Sequence, residues 1–409
     1  MRQRLHPGWV MVFSAMGILA VNSQPYYSFG IFLKTMTGEL GWERGAMSLA
    51  ISITMLVSNP LSILTGRLSD KYGPRIMVTA SGFVYSLGYL LMSYVQALWQ
   101  VYLIFGVLIA VGGALCSVPL TSTIPRWFTK RRSVALGLTY AGMTVGGIIG
   151  PFLTQWIIDI QDWRWAYRVF AIMTLVVFVP LSQLLKRSPA DSGMKPYGET
   201  GETESIAAES AQGFSYRQAL RTRWFWLFGG ILLCQFFVGQ TLVGHIAPHI
   251  TDLGISATMA AGVLSIYAAT SLVGTNLSGI MIERLGLKRM IVVSFSLVLL
   301  LMVWLIFSRT EWMFYFFAVF YGLTFGLLIP LQTVVPGELF GLKSLGSISA
   351  TLMFIGAIGG AIGSPLAGAI FDARGSYFVA FLICTGINVV AIILSIVLLR
   401  SRDKEATGR

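Results

Sequence analysis

Long apolar blocks alternate along this chain with short stretches of charge, glycine and proline. Neither 291–306 nor 377–399 contains a charged residue, and about 18 such residues in a row predict a helix that crosses a membrane. The same pattern, read at ~20 residues per block, predicts about twelve spans. They fall near 8–33, 45–65, 75–95, 99–124, 133–158 and 165–185, then 224–247, 258–282, 288–308, 311–335, 344–371 and 377–399. The single long polar stretch, 187–222, carries Glu199, Glu202, Glu204 and Glu209 among Ser, Thr and Gly. That composition reads as a solvated linker. The expected organisation is a six-helix bundle over 1–186, a cytoplasmic linker over 187–222 and a second six-helix bundle over 223–409.

Composition sharpens this picture. The 409 residues are 55% apolar, close to an ordinary soluble protein, but only 11% charged, against about a quarter in soluble domains. A surface so poor in charge must face lipid, which excludes soluble enzyme folds. The net charge of +12 points to basic cytoplasmic loops rather than to nucleic acid. Of 29 Lys and Arg, 23 fall on the side of the two termini and six on the other. That bias predicts cytoplasmic termini in a cell (inner) membrane. Arg2 and Arg4 precede an apolar stretch too long for a signal-peptide core, so this segment reads as the first span. Cys116, Cys234 and Cys384 lie inside apolar runs and offer neither a metal spacing nor a disulfide framework.

The halves repeat. Gly66, Asp70 and Gly73 recur as Gly279, Glu283 and Gly286, each 213 residues later, and the same offset carries Gly146, Gly147 and Gly150 to Gly359, Gly360 and Gly363. One offset across two unrelated motifs implies duplication. The fold class is therefore an all-α membrane protein with two pseudo-symmetric bundles, an architecture that places a transported molecule between the halves near mid-membrane.

In the first repeated loop, which also holds Arg75, Gly66 allows close helix approach, Gly73 a tight turn, and Asp70 an ion pair with nearby basic residues. With Glu283 and Arg284 in the second copy, these form a candidate conformational latch. The loop resembles the signature loop of the major facilitator superfamily. A narrower resemblance rests on Tyr27-Ser-Phe-Gly-Ile-Phe-Leu-Lys34, Leu40-Gly-Trp-Glu-Arg44, Arg126-Trp-Phe before Arg131-Arg132, Asp162-Trp-Arg164, Asp252-Leu-Gly-Ile-Ser256 and Phe371-Asp-x-x-Gly375-Ser-Tyr377. These look like bacterial monocarboxylate porters and the related oxalate/formate antiporters. The resemblance implies alternating-access transport of small organic anions, usually coupled to protons. Thr275 stands where many such carriers have an arginine, and Tyr27 where the animal-type carriers have a lysine. By these span limits no Lys, Arg, Asp or Glu lies at membrane depth, although a carboxylate there is costly unless paired.

Neutral groups are the candidates to replace the cation. Asn22, Gln24, Tyr26 and Tyr27 surround Pro25, whose missing N–H loosens the helix. Tyr140, Tyr267, Thr270, Ser271, Thr275, Asn276 and Tyr321 supply further donors, each also suited to an interhelical hydrogen bond. Thr324 belongs with them. His245 is the one histidine placed within a span and titrates near neutrality in its ordinary state. It is a candidate proton-coupling or gating group, or an interfacial histidine. The glycines of spans five and eleven suit close, sliding helix contacts.

The expectation is a secondary carrier of small organic (mono)carboxylates, the expected partners being the acid, protons and the lipid bilayer, with the chain acting as a monomer. The alternative is an organic-anion antiporter or an efflux carrier for an amphipathic metabolite or drug. A sensor on the same scaffold would need an appended domain. Enzyme chemistry finds no phosphate loop, metal cluster or nucleophile–base pair to stand on, so no cofactor and no metal is expected.

Overall fold

The computed structural model describes residues 6–189, 191, 193–198, 213–341 and 343–407. Glu199, Glu202, Glu204 and Glu209 of the linker, with Arg2 and Arg4, lie outside them. Among the described residues the regular structure is helical, without a named strand. Eleven helices among the described residues are long and apolar enough to cross a membrane.

The first expected span is divided. It forms α1, Pro7–Tyr27, and α2, Phe29–Leu40, which meet at Ser28. Pro25 lies in the last turn of α1, and the Ser28 hydroxyl is taken by Thr154 at 2.8 Å. The helical run α3, Arg44–Met92, bends at Gly73 (φ 81°, ψ 162°). Then come α4, Leu98–Trp127; α5, Arg132–Ile160; α6, Trp163–Gln183; and α7, Arg223–Asp252. The next run is α8, Ala257–Phe307, bent at Gly286 (φ 76°, ψ 150°). The chain ends with α9, Glu311–Phe340; α10, Leu345–Arg374; and α11, Phe378–Thr407. Gly73 and Gly286 stand 213 residues apart and share one left-handed conformation, which residues with a Cβ rarely adopt. The duplication is thus a backbone fact at its sharpest bends.

Contacts divide the chain into two compact units, Met1–Trp42 with Leu49–Glu202, and Glu43–Ser48 with Thr203–Arg409. The short stretch that opens α3 therefore belongs to the second unit.

In the first unit α1 lies against α5. A Cβ on Gly142 or Gly146 would overlap the carbonyl oxygens of Met16 or Ala20, and one on Gly150 would crowd the backbone of Gln24. In the second unit α7 lies against α10 in the same way. Added Cβ atoms on Gly359 and Gly363 would meet the carbonyl oxygens of Leu233 and Phe237. The glycine repeat marks the same helix contact twice.

Candidate functional site

Residues of the first unit line a cavity of about 240 Å³. Asn22, Ser23, Pro25 and Tyr26 of α1 form one wall, and Tyr85, Tyr89 and Tyr167 form an aromatic one. A π turn at Ile104–Ile109 presents Phe105 and Ile109 to the same space. The wider π turn disturbs the normal hydrogen-bond ladder, and Thr54, another wall residue, donates to the Phe105 carbonyl at 3.0 Å. Ser23 is committed to the Met143 carbonyl at 2.8 Å. Asn22 Oδ1 and Gln24 Oε1 are buried without a hydrogen-bond partner. Buried acceptors are seldom left unpaired, so this apolar cavity has two amide oxygens in its neighbourhood that call for a donor.

The predicted span-one cluster is thus partly brought together. Asn22 and Tyr26 line the cavity, Tyr27 packs edge-on to Tyr26 at 5.2 Å, and Gln24 is buried beside them. Tyr140 is exposed and is not a wall residue.

The donors of the second unit answer to helix packing. Thr270 donates to the carbonyls of Ile266 and Ala318, and Thr275 to those of Ser271 and Gly326. Ser271, Asn276 and Thr324 bond their own helices. Tyr267 and Tyr321 face each other at 5.7 Å across an apolar crevice of only about 10 Å³.

His245 sits at the centre of a network in the second unit and is fully buried. Its Nε2 lies 2.8 Å from the Ser364 carbonyl, and its Nδ1 lies 3.1 Å from the Tyr377 hydroxyl. A carbonyl only accepts, so Nε2 carries the proton and Nδ1 accepts from Tyr377. Tyr377 in turn accepts from Arg44 Nη1 at 2.9 Å. Ser48 Oγ and Ser364 Oγ stand 3.4 and 3.3 Å from Nε2. A neutral imidazole satisfies every bond in this chain. A second proton on Nδ1 would set two cations on one phenol oxygen.

Arg44 holds the network to the charged end of the unit. Its guanidinium makes a bidentate pair with Asp252 and stacks 3.8 Å above the Phe371 ring. Asp372 accepts from the backbone N–H groups of Arg44 and Gly45 at 3.0 and 2.8 Å, capping the start of α3. Sequence reasoning assigned none of these residues a role. A signal existed: Arg44, Asp252 and Phe371-Asp372…Tyr377 come from three of the stretches that carry the family resemblance.

Two other stretches behave alike. Arg126 Nη2 pairs with Asp70 at 2.7 Å, and Arg164 and Trp163 both donate to Glu39 at 2.6 Å. The Arg164 bond, opposed by burial and aided by Trp163, draws the Glu39 carboxyl below the usual carboxylate range. Within the latch motif, Asp70 therefore pairs with Arg126, while Arg75 donates to Gln183 at 2.6 Å. Glu283 and Arg284 are exposed. Among the described residues no group of three or more His, Cys, Asp or Glu is placed to hold a metal ion.

The model of the Major Facilitator Superfamily matches residues 9–247 and 230–409. Monocarboxylate transporter 13 of Rattus norvegicus is 27% identical over 391 residues, covering 92% of this chain and 85% of that protein. The MFS-type transporter pynF of Aspergillus niger is 27% identical over 370 residues, covering 90% and 80%. The fold is also similar to the crystal structure of a bacterial homologue of the human lysosomal transporter Spinster, inward-facing and unoccupied. That likeness has a TM-score of 0.78 at 14% identity and covers 97% of this chain and 98% of the other.

Proposed function

Because this chain belongs to the major facilitator superfamily, and is a multi-pass membrane transporter rather than an enzyme, we propose that it carries small monocarboxylic acids with protons by alternating access. The reading places it in the cell (inner) membrane with both termini in the cytoplasm. The observation that carries it is the first-unit cavity, whose polar demand is met by a donor. A protonated carboxyl donates its O–H to an amide oxygen such as Asn22 Oδ1, and its apolar tail lies against Tyr85, Tyr89 and Tyr167. An ionised carboxylate, by contrast, would be desolvated with no cation beside it. The proton then travels on the substrate. The relatives named as monocarboxylate transporters support the same substrate class.

In this reading His245 is a gate rather than the carried proton's site, since its two nitrogens are already engaged. The signature loops, with Asp70 and Arg126 paired, bias one state of the transport cycle. Uptake of radiolabelled acetate, lactate, pyruvate, formate and oxalate into proteoliposomes, with and without a pH gradient, tests the proposal. Acid-driven uptake of the monocarboxylates is expected. In His245→Ala the rate should fall while uptake keeps its dependence on the gradient. Loss of that dependence would return the proton to His245.

A further inference from the structure

The second unit contains a separate pocket of about 140 Å³, well above the ~10–15 Å³ that one water occupies. His249 and Asp252 at the end of α7, Arg309 between α8 and α9, and Ser376 and Tyr377 between α10 and α11 supply its polar wall. Most of these groups are already committed. Asp252 gives both carboxylate oxygens to Arg44. Ser376 Oγ accepts from the Phe378 N–H at 3.2 Å. Asp372, the other carboxylate near Arg44, accepts two backbone N–H groups and is not part of the wall. What remains is donor-rich. Arg309 bonds only backbone carbonyls, of Ile306 and Ser308, among the described residues. Buried His249 Nε2 has no hydrogen-bond partner.

We propose that this pocket is a second binding site, which captures the carboxylate of a small monocarboxylic acid. Arg309 supplies the counter-charge and His249 Nε2–H a second donor, while Phe378 and Phe381 face the short apolar tail. Charge-assisted hydrogen bonds of this kind are about twice as strong as neutral ones. The proposal rests on the reading that monocarboxylic acids are the cargo. It also locates a cation for them, at the end of the second unit and not at the position of Thr275. With Asp252 held by Arg44, Arg309 is the cation of this wall that meets no carboxylate among the described residues, so the pocket suits one negative charge and not two.

The test reads occupancy, not flux. Purified full-length protein is treated with bromoacetate, and the modified residue is mapped by peptide mass spectrometry. A ring nitrogen of His249 displaces bromide to form a C–N bond, bromide leaves with the bonding pair, and the ring proton passes to water. The expected result is carboxymethylation of His249, suppressed by excess acetate or pyruvate. It should slow roughly tenfold or more in Arg309→Gln, the order lost with one charge-assisted bond. Bromoacetamide, the uncharged analogue, should react equally with wild type and Arg309→Gln. No label at His249, no protection by acetate, or equal slowing of both reagents overturns the site. Protected labelling in a protein that takes up no monocarboxylate keeps the pocket and refutes the transport reading. Monocarboxylate uptake without protected labelling does the reverse.

Discussion

Glu39 is one carboxylate holding two donors from the start of α6, Arg164 and Trp163, each at 2.6 Å. Because this pairing lowers its pKa in the folded state, its contribution to stability is present above the unfolded-state value and is lost as pH falls through the folded one. Glu39→Gln should therefore lower the melting temperature at neutral pH, and the gap to wild type should close below about pH 4, the ordinary range of a glutamate. Thermal unfolding in detergent at a series of pH values checks this. A gap independent of pH would mean that the indole bond to Trp163, and not the charge, is what matters. His245 illustrates the opposite case: a titratable group whose two nitrogens both find partners when neutral, so that the geometry favours its neutral form.

At the scale of the helix pair, the glycines divide into those that touch and those that do not. A Cβ on Gly146 would overlap the Ala20 carbonyl and Ser23 Oγ, and one on Gly359 the Leu233 carbonyl. A Cβ on Gly137, also in α5, would meet nothing within 4 Å. Gly146→Ala and Gly359→Ala should each destabilise the protein by about 1–3 kcal/mol, the usual cost of overpacking. Gly137→Ala should be neutral or stabilising by up to ~1 kcal/mol through helix propensity. Melting temperatures of the three variants decide it, and equal effects would show that the glycines serve flexibility instead of contact. The π turn in α4 belongs to this scale too. It shapes one wall of the cavity, and nothing in the periodicity of 98–127 distinguishes it from ordinary helix.

In the proposed transport cycle, the first signature loop is a switch whose worth lies in bias between states. The Asp70–Arg126 pair is exposed, and such pairs contribute only about 0.2–1 kcal/mol to stability. Asp70→Asn should accordingly leave expression and melting temperature almost unchanged but cut the uptake rate several-fold, and Arg126→Gln should do the same. Normal uptake in both variants would refute the latch. Substrate range is the second property at this scale. With a neutral Thr275 bonded to Ser271 and Gly326, the proposed carrier should prefer monocarboxylates with an apolar tail over oxalate. Thr275→Arg should raise the affinity for small anions by supplying the counter-charge. Competition against labelled pyruvate in proteoliposomes measures both, and tighter binding of oxalate than of any monocarboxylate by the wild type would contradict the scheme.

The sequence by itself determined what is local or strictly repeated. Apolar run length specified the spans, because a helix must match the thickness of the hydrocarbon core. The 213-residue offset specified the duplication, and the structure repeats it in the backbone of Gly73 and Gly286 and in the helix contacts of Gly146 and Gly359. Pro25 and its polar neighbours marked the cavity, since a helix breaker among amides is visible in a short window. Only the tertiary structure decided which charges meet. Arg44 and Asp252 lie 208 residues apart and Arg44 and Tyr377 333 apart, and each alone reads as an end-of-span residue. It also decided that Thr270 and Thr275 bond carbonyls of a neighbouring helix and Ser271 one of its own, while His249, at a helix end, faces a pocket with Arg309. A hydroxyl or an imidazole has the same composition whether it is satisfied or waiting for a partner, and only the fold supplies or withholds that partner.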